Sequence, residues 1–158
     1  MAGRTGDKIM ASETKLLFPG LAGFYATWRD IAYTILRVVI GLILLTHGWL
    51  KVGTFGFAGV SGFMAKAGLE PAGAFAAAAM FLETIGAICI IVGLFTRFFA
   101  AALAIELLIG LLAVHLKAGF AVSGGGYEYI LLLGIVMFAI AIRGGGPYSV
   151  DRMIGKEL

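Results

Sequence analysis

Cysteine, histidine, proline and charge are all scarce in this chain. Its 158 residues include one cysteine, two histidines and three prolines, and only 13% are charged. A lone Cys89 excludes a disulfide framework within the chain and any metal site built from thiolates. Cys89 lies in an apolar run and reads as a small buried hydrophobe. Two histidines fall short of the four nitrogen or sulfur ligands of structural zinc, so no metal is expected. The net charge of +3 is modest and gives no basic surface for nucleic acid. No P-loop, no dinucleotide-type glycine motif after a strand and no nucleophile elbow occurs.

Apolar residues make up 61% of the chain, and 24 positions are glycine. A soluble domain of this length is surface-rich and cannot bury so much apolar area. The bilayer is the natural solvent, and one membrane domain fits the length. Four apolar runs, at residues 28–51, 72–95, 98–117 and 127–142, approach the roughly 20 residues that a spanning helix needs. The fourth is short and is expected to draw on its glycine-rich flanks or on a locally thin membrane. Open strands leave unpaired backbone groups in lipid, so the expected fold is all-α: a bundle of four transmembrane helices.

Basic residues divide unevenly about these runs. Arg4, Lys8, Lys15, Arg29, Arg97, Arg143, Arg152 and Lys156 fall on one side, against Lys51, Lys66 and Lys117 on the other. The positive-inside bias places both termini in the cytoplasm. Residues 1–27 form an N-terminal cytoplasmic or interfacial extension, with a disordered tail over 1–12 and an interfacial segment broken at Pro19-Gly20. The extension lacks the short apolar core and cleavage site of a signal peptide. Residues 28–143 form the membrane domain, and 144–158 a cytoplasmic tail. The glycine-rich stretch at 53–62 predicts a loose outer turn. A short interfacial helix over 60–67 follows, capped by Gly68, before Pro71 opens the second span.

Polar residues inside the apolar runs point to chemistry. Arg37, Gly41, Leu44, Gly48 and Lys51 share one face of a 3.6-residue helix, flanked by His47. The two glycines admit a close neighbour, so this stripe faces protein. Each later run supplies a carboxylate: Glu83, Glu106 and Glu128, with His115 late in the third. Charges at membrane depth cost at least ~2.5 kcal/mol each, so they pair or line a cavity. By depth Arg37 matches Glu106, and the pair reads as a structural ion pair that fixes helix register. His47, Lys51, His115 and Glu128 fall near the outer end, with Glu83 beneath and within reach of His47. A histidine titrates near neutral pH and can pass protons or hydrogen-bond a carbonyl. Lys66 and Lys117 read as snorkelling residues, and Trp49, Tyr127 and Tyr129 as an aromatic belt. Two histidines on different helices also raise bis-histidine haem, but Lys51 and Glu83 would crowd a porphyrin and no C-x-x-C-H occurs.

These residues resemble the DoxX family of small bacterial and archaeal four-helix membrane proteins over about residues 30–152. The likeness is carried by R-x-x-x-G and H-G-x-x-K (Arg37, Gly41, His47, Gly48, Lys51), then E-x-x-G and G-L-F-T-R (Glu83, Gly86, Gly93 to Arg97). His115, G-G-G-Y-E before the fourth run and the closing G-G-G-P-Y-S-V-D complete it. The family is similar to the DoxD subunit of thiosulfate:quinone oxidoreductase. The resemblance implies a cytoplasmic-membrane redox subunit, quinone-linked, with electrons supplied by a partner protein. His47, Lys51, Glu83 and His115 are then the catalytic candidates, and His47, Trp49, Glu83 and Glu128 outline a quinone pocket. The alternative is a non-catalytic subunit that anchors a larger complex through its small-residue faces. A transporter fits less well, because paired repeats with broken helices are not visible.

Overall fold

The apolar runs form helices, and their periodicity sets which face is buried. A computed structural model describes residues 16–157, so the disordered tail expected over 1–12 lies outside the described residues. Three helical runs are long and apolar enough to cross a membrane: Pro19–Lys66, Ala72–Val92 and Thr96–Ala118. The first contains α1 (Ala22–Leu50) and α2 (Gly56–Lys66), and the second α3 (Ala72–Phe81) and α4 (Ala87–Val92). The third begins with α5 (Thr96–Gly110). Two further helices follow, α6 (Glu128–Arg143) and the short α7 (Val150–Ile154). No strand occurs among the described residues. At 16 residues, α6 falls short of the usual spanning length.

The buried residues repeat at helical spacing. On α1 they are Tyr33, Arg37, Ile40, Gly41, Leu44 and Gly48. Ala72, Ala76, Ala79, Glu83, Gly86, Ala87 and Ile90 continue the pattern on the second run. Phe99, Leu103 and Leu107 of α5 meet Leu133, Met137 and Ile140 of α6 to complete one core. Leu42, Ile135 and Phe138 point outward, as a lipid-solvated bundle requires.

Several boundaries differ from the sequence expectation. Pro19 does not break the N-terminal segment but starts a helix, as a proline in a first turn can. That helix runs straight through the boundary expected at residues 27 and 28. The loose turn expected over 53–62 is helical, and the change of direction falls on Gly56 alone, at φ +65°. Gly68 does close α2 in the left-handed region. Pro71 stands just ahead of α3 instead of inside it.

Residues 144–157 are not a free tail. They fold back on the corner between α4 and α5, where the chain turns within Gly93–Phe95. Asp151, 1% exposed, accepts hydrogen bonds from the Phe95 and Thr96 amides and the Thr96 hydroxyl at 2.7, 2.9 and 2.6 Å. These are the orphan donors at the start of α5, whose own N-cap position is the phenylalanine. Arg37, also 1% exposed, donates to the carbonyls of Ile90, Ile91 and Tyr148, which terminates α4. Arg97 does the same for α6 through Ala141, Ile142 and Arg143, and pairs with Glu157 at 2.7 Å. The Tyr33 hydroxyl donates to Gly144, and Arg143 stacks 4.0 Å over the Tyr33 ring. Gly93 is required here. Its φ is +74°, and a Cβ would stand 2.5 Å from Ser149 Cβ and 2.9 Å from an Arg37 nitrogen.

Asp151→Ala strands the amides of Phe95 and Thr96 and the Thr96 hydroxyl, and should lower stability by about 2 kcal/mol or more. Asp151→Asn keeps one acceptor oxygen and should lose less. Thermal unfolding in detergent ranks the two, and an alanine variant as stable as the parent would remove the capping role.

Candidate functional site

Opposite the capped corner, the helices loosen. Each of the three long runs contains one π-helical turn: Lys51–Phe55, Leu82–Gly86 and Leu111–His115. A π turn carries an extra residue, which breaks the regular hydrogen-bond ladder, and such turns collect at functional sites. Lys51, Glu83 and His115 each lie within one. All three side chains line the same two adjoining cavities, of about 420 and 270 Å³.

Glycine makes this convergence possible. Gly48 lies against the backbone of Glu83, in a space that no Cβ would fit. The first run therefore sits close enough for the Lys51 ammonium to donate to the Glu83 carboxylate, an ion pair with side chains only 22% and 9% exposed. Glu106 adjoins both groups closely enough to feel their charges. Its Oε2 is buried in the wall of the larger cavity, where no amide, ammonium or hydroxyl group reaches it. Hairpin register explains why Glu83 and Glu106 meet. They lie at nearly the same distance from the turn at Gly93–Phe95, about 16 Å along each helix at ~1.5 Å per residue. His115 Nδ1 donates to the Gly125 carbonyl at 2.7 Å, which leaves Nε2 facing away from that bond.

The larger cavity is otherwise apolar, walled by Phe63, Met64, Phe75, Ile105 and Val114 among others. The smaller one adds His47 and Tyr129, whose rings lie 6.4 Å apart. The arrangement supplies a cation, two carboxyl groups and an imidazole at the edge of an apolar space. Such a set can bind a polar head on an apolar body and exchange protons with it.

The structure thus brings His47, Lys51, Glu83 and His115 around one space, and separates other candidates from it. Trp49 is 71% exposed on the outward face beside Leu42 and Thr84, away from both cavities. The reason is azimuth: Trp49 follows Gly48 by one position, about 100° around the helix. Glu128 is also outside, where its carboxylate accepts from the Val122 amide at 3.1 Å and fastens the loop before α6. The expected Arg37–Glu106 ion pair does not form. Depth alone suggested it, but Arg37 reaches back to the carbonyls ending α4, while Glu106 turns toward Glu83. Glu83 finds Lys51 instead of His47. Sequence reasoning missed Glu106 as a member of this site, although the hairpin register that pairs it with Glu83 is readable from the chain.

Comparisons with known proteins agree on the membrane character. The DoxX family model matches residues 32–116, from before Arg37 to just past His115. The inner membrane protein YqjF of Escherichia coli K12 is 27% identical over 129 residues, covering 82% of this chain and 96% of that protein. A Haemophilus influenzae protein, named only as uncharacterised, is 31% identical over 78 residues, or 49% of this chain and 52% of its own. No solved structure matches.

Lys51→Met would leave the buried Glu83 carboxylate without its cation, and should lower stability by about 3 kcal/mol. Adding Glu83→Gln to that variant should restore much of the loss, since it removes the uncompensated charge. Detergent thermal unfolding reads both, and equal stability of all three proteins would show that the pair is energetically idle.

Proposed function

The chain belongs to the DoxX family of membrane proteins, and from that premise we propose that it is the membrane subunit of a redox system. It holds a quinone-class ligand in the cavity beside Lys51 and Glu83. The observation that carries this reading is the convergence of three π turns, each contributing one ionisable residue, on a space of about 420 Å³. That volume falls within the ~300–1,000 Å³ of small-ligand sites. A quinone carbonyl needs a donor, and Lys51 has two ammonium hydrogens beyond the one given to Glu83. Its reduction needs protons, which Glu83, Glu106 and His115 can relay from the loop at Gly125. Electrons come from a partner protein, because one cysteine cannot hold an iron–sulfur cluster and Lys51 and Glu83 crowd the space between the two histidines.

The same reading completes the topology. α6 is the fourth span, its rise of about 24 Å supplemented by the folded loop before it. α2 lies across the outer end and packs on α3. Both termini are cytoplasmic, because Arg97, Arg143 and Asp30 gather at the capped end with Glu157. The membrane is then the cytoplasmic one, as the name of the Escherichia coli relative states for that protein. A second reading, an anchoring subunit with no ligand of its own, draws on the groove between α5 and α6. Ala101, Ala104, Gly134 and Ala141 there suit the close approach of a partner helix.

Two measurements separate these readings. Purified protein in lipid nanodiscs should bind a short-tailed benzoquinone by calorimetry, and Glu83→Gln should weaken binding about tenfold or more. Trp49→Ala, on the other face, should leave it unchanged. Absence of binding by the parent protein favours the anchor. A fluorescent protein fused to the C-terminus should glow and alkaline phosphatase fused there should be inactive, whereas an active phosphatase reverses the orientation.

A further inference from the structure

The first turns of α1 stand clear of the bundle and carry apolar side chains that the ligand site does not use. Eight large apolar residues between Leu21 and Leu42 are 43–56% exposed. At ~100° per residue all eight fall within about 120° of the helix surface, Leu21, Phe24, Tyr25 and Trp28 among them. The residues that α1 buries, from Tyr33 through Arg37 to Gly48, occupy the opposite side. The stripe therefore points away from the chain's own core, and residues 16–29 are exposed throughout.

Over its deeper half, lipid solvates such a stripe without a partner. Height shows that lipid does not reach the rest. Trp28 and Trp49 are 21 residues apart, or about 31 Å along the helix, which is the thickness of the hydrocarbon layer. With Trp28 at one edge, near the charged layer of Asp30 and Arg143, Leu21 stands about 10 Å further out. Headgroups extend only roughly 5–8 Å from the hydrocarbon. α1 runs unbroken from Ala22 to Leu50, so it does not bend to lay these turns on the membrane. Leu21, and Phe18 before it, face water unless another protein surface covers them.

We propose that this surface is a second copy of the chain, with α1 pairing against α1 of a second protomer as a parallel coiled coil. Positions 21, 25, 28, 32, 35, 39 and 42 alternate steps of four and three, the heptad spacing of a coiled-coil seam, and each is exposed. Ala32 on this seam is small and lets the two backbones approach. Copies in one bilayer stand parallel, so a two-fold axis along the membrane normal sets each seam residue against its own counterpart at equal height. Charge permits the self-pairing. Arg29, its side chain 74% exposed, is the single charged residue flanking the seam. In a parallel pair it lies beside the partner's Phe24, so no like charges meet and the guanidinium gains an aromatic face. The area suffices too. Half of a large side chain is on the order of 100 Å², so eight give each copy about 800 Å², the share per partner of a standard interface.

The test uses the full chain carrying Cys89→Ala, in proteoliposomes dilute enough that random encounters are rare, oxidised with copper phenanthroline and run on a non-reducing gel. Leu21→Cys and Tyr25→Cys, both on the seam, should each convert most of the chain to a disulfide-linked dimer, because facing seam positions lie within reach of an S–S bond. Ala26→Cys, on the opposite side of the helix, should leave the chain monomeric. Adding Leu21→Glu to Tyr25→Cys sets two carboxylates against each other across the seam and should abolish the cross-link. A cross-link that forms equally at Ala26→Cys, or one that survives Leu21→Glu, overturns the pairing. A monomer at both seam positions overturns it as well. In that case protection of the introduced thiols from a water-soluble maleimide gives the stripe to the lipid headgroups instead.

Discussion

Three helix ends meet at one side of this bundle, and their terminal backbone groups must find partners in surroundings with little water. Every α-helix leaves unpaired amides at its start and unpaired carbonyls at its end, and in a membrane each orphan costs several kcal/mol. Arg37 closes α4, Arg97 closes α6, and Asp151 opens α5. Two of these caps come from across the bundle, and the third comes from residues after the last long helix. The corner at Gly93–Phe95 exists only because that capping holds it. Phe95 sits at φ +48°, a conformation that costs a side-chain-bearing residue roughly 1 kcal/mol.

Fastening one end allows the other to be irregular. Away from the capped corner each long run admits a π turn, and the wide turns gather Lys51, Glu83 and His115 around the two cavities. Close approach at Gly41 and Gly48 holds the first run against the second between these two regions. Rigid packing therefore lies between a sealed end and a site with space in it. Glu83 belongs to both regions. Its backbone carbonyl abuts Gly48, while its carboxylate faces the cavity.

Much of this was legible in the chain. The buried stripe of α1 follows the 3.6-residue spacing from Arg37 to Gly48, and the tight glycine contacts fall where that spacing put them. His47, Lys51, Glu83 and His115 were recognisable as polar residues in apolar runs, and they do share a space. What failed were inferences from depth alone. Depth matches Arg37 to Glu106, yet the two side chains leave their helices in different directions. Trp49 is at the right height for the site and on the wrong side of its helix. Asp151 and Arg97 read as ordinary residues of a cytoplasmic flank, because nothing local says which helix end they will cap. A clue was present: α5 starts after a phenylalanine with no capping residue of its own, so the cap had to come from elsewhere.

The sequence by itself determined that the chain is helical and apolar enough for a membrane, which faces of its helices are buried, and which residues are too costly in lipid to be incidental. Those follow from composition and from a fixed period, and both are local properties. Only the tertiary structure decided who pairs with whom. It gave Lys51 to Glu83, turned Glu106 toward Glu83, and brought Asp151 from the far end of the chain to the start of α5. Such pairings depend on helix azimuth and on contacts between residues distant in sequence, and neither has a signature in a single local window.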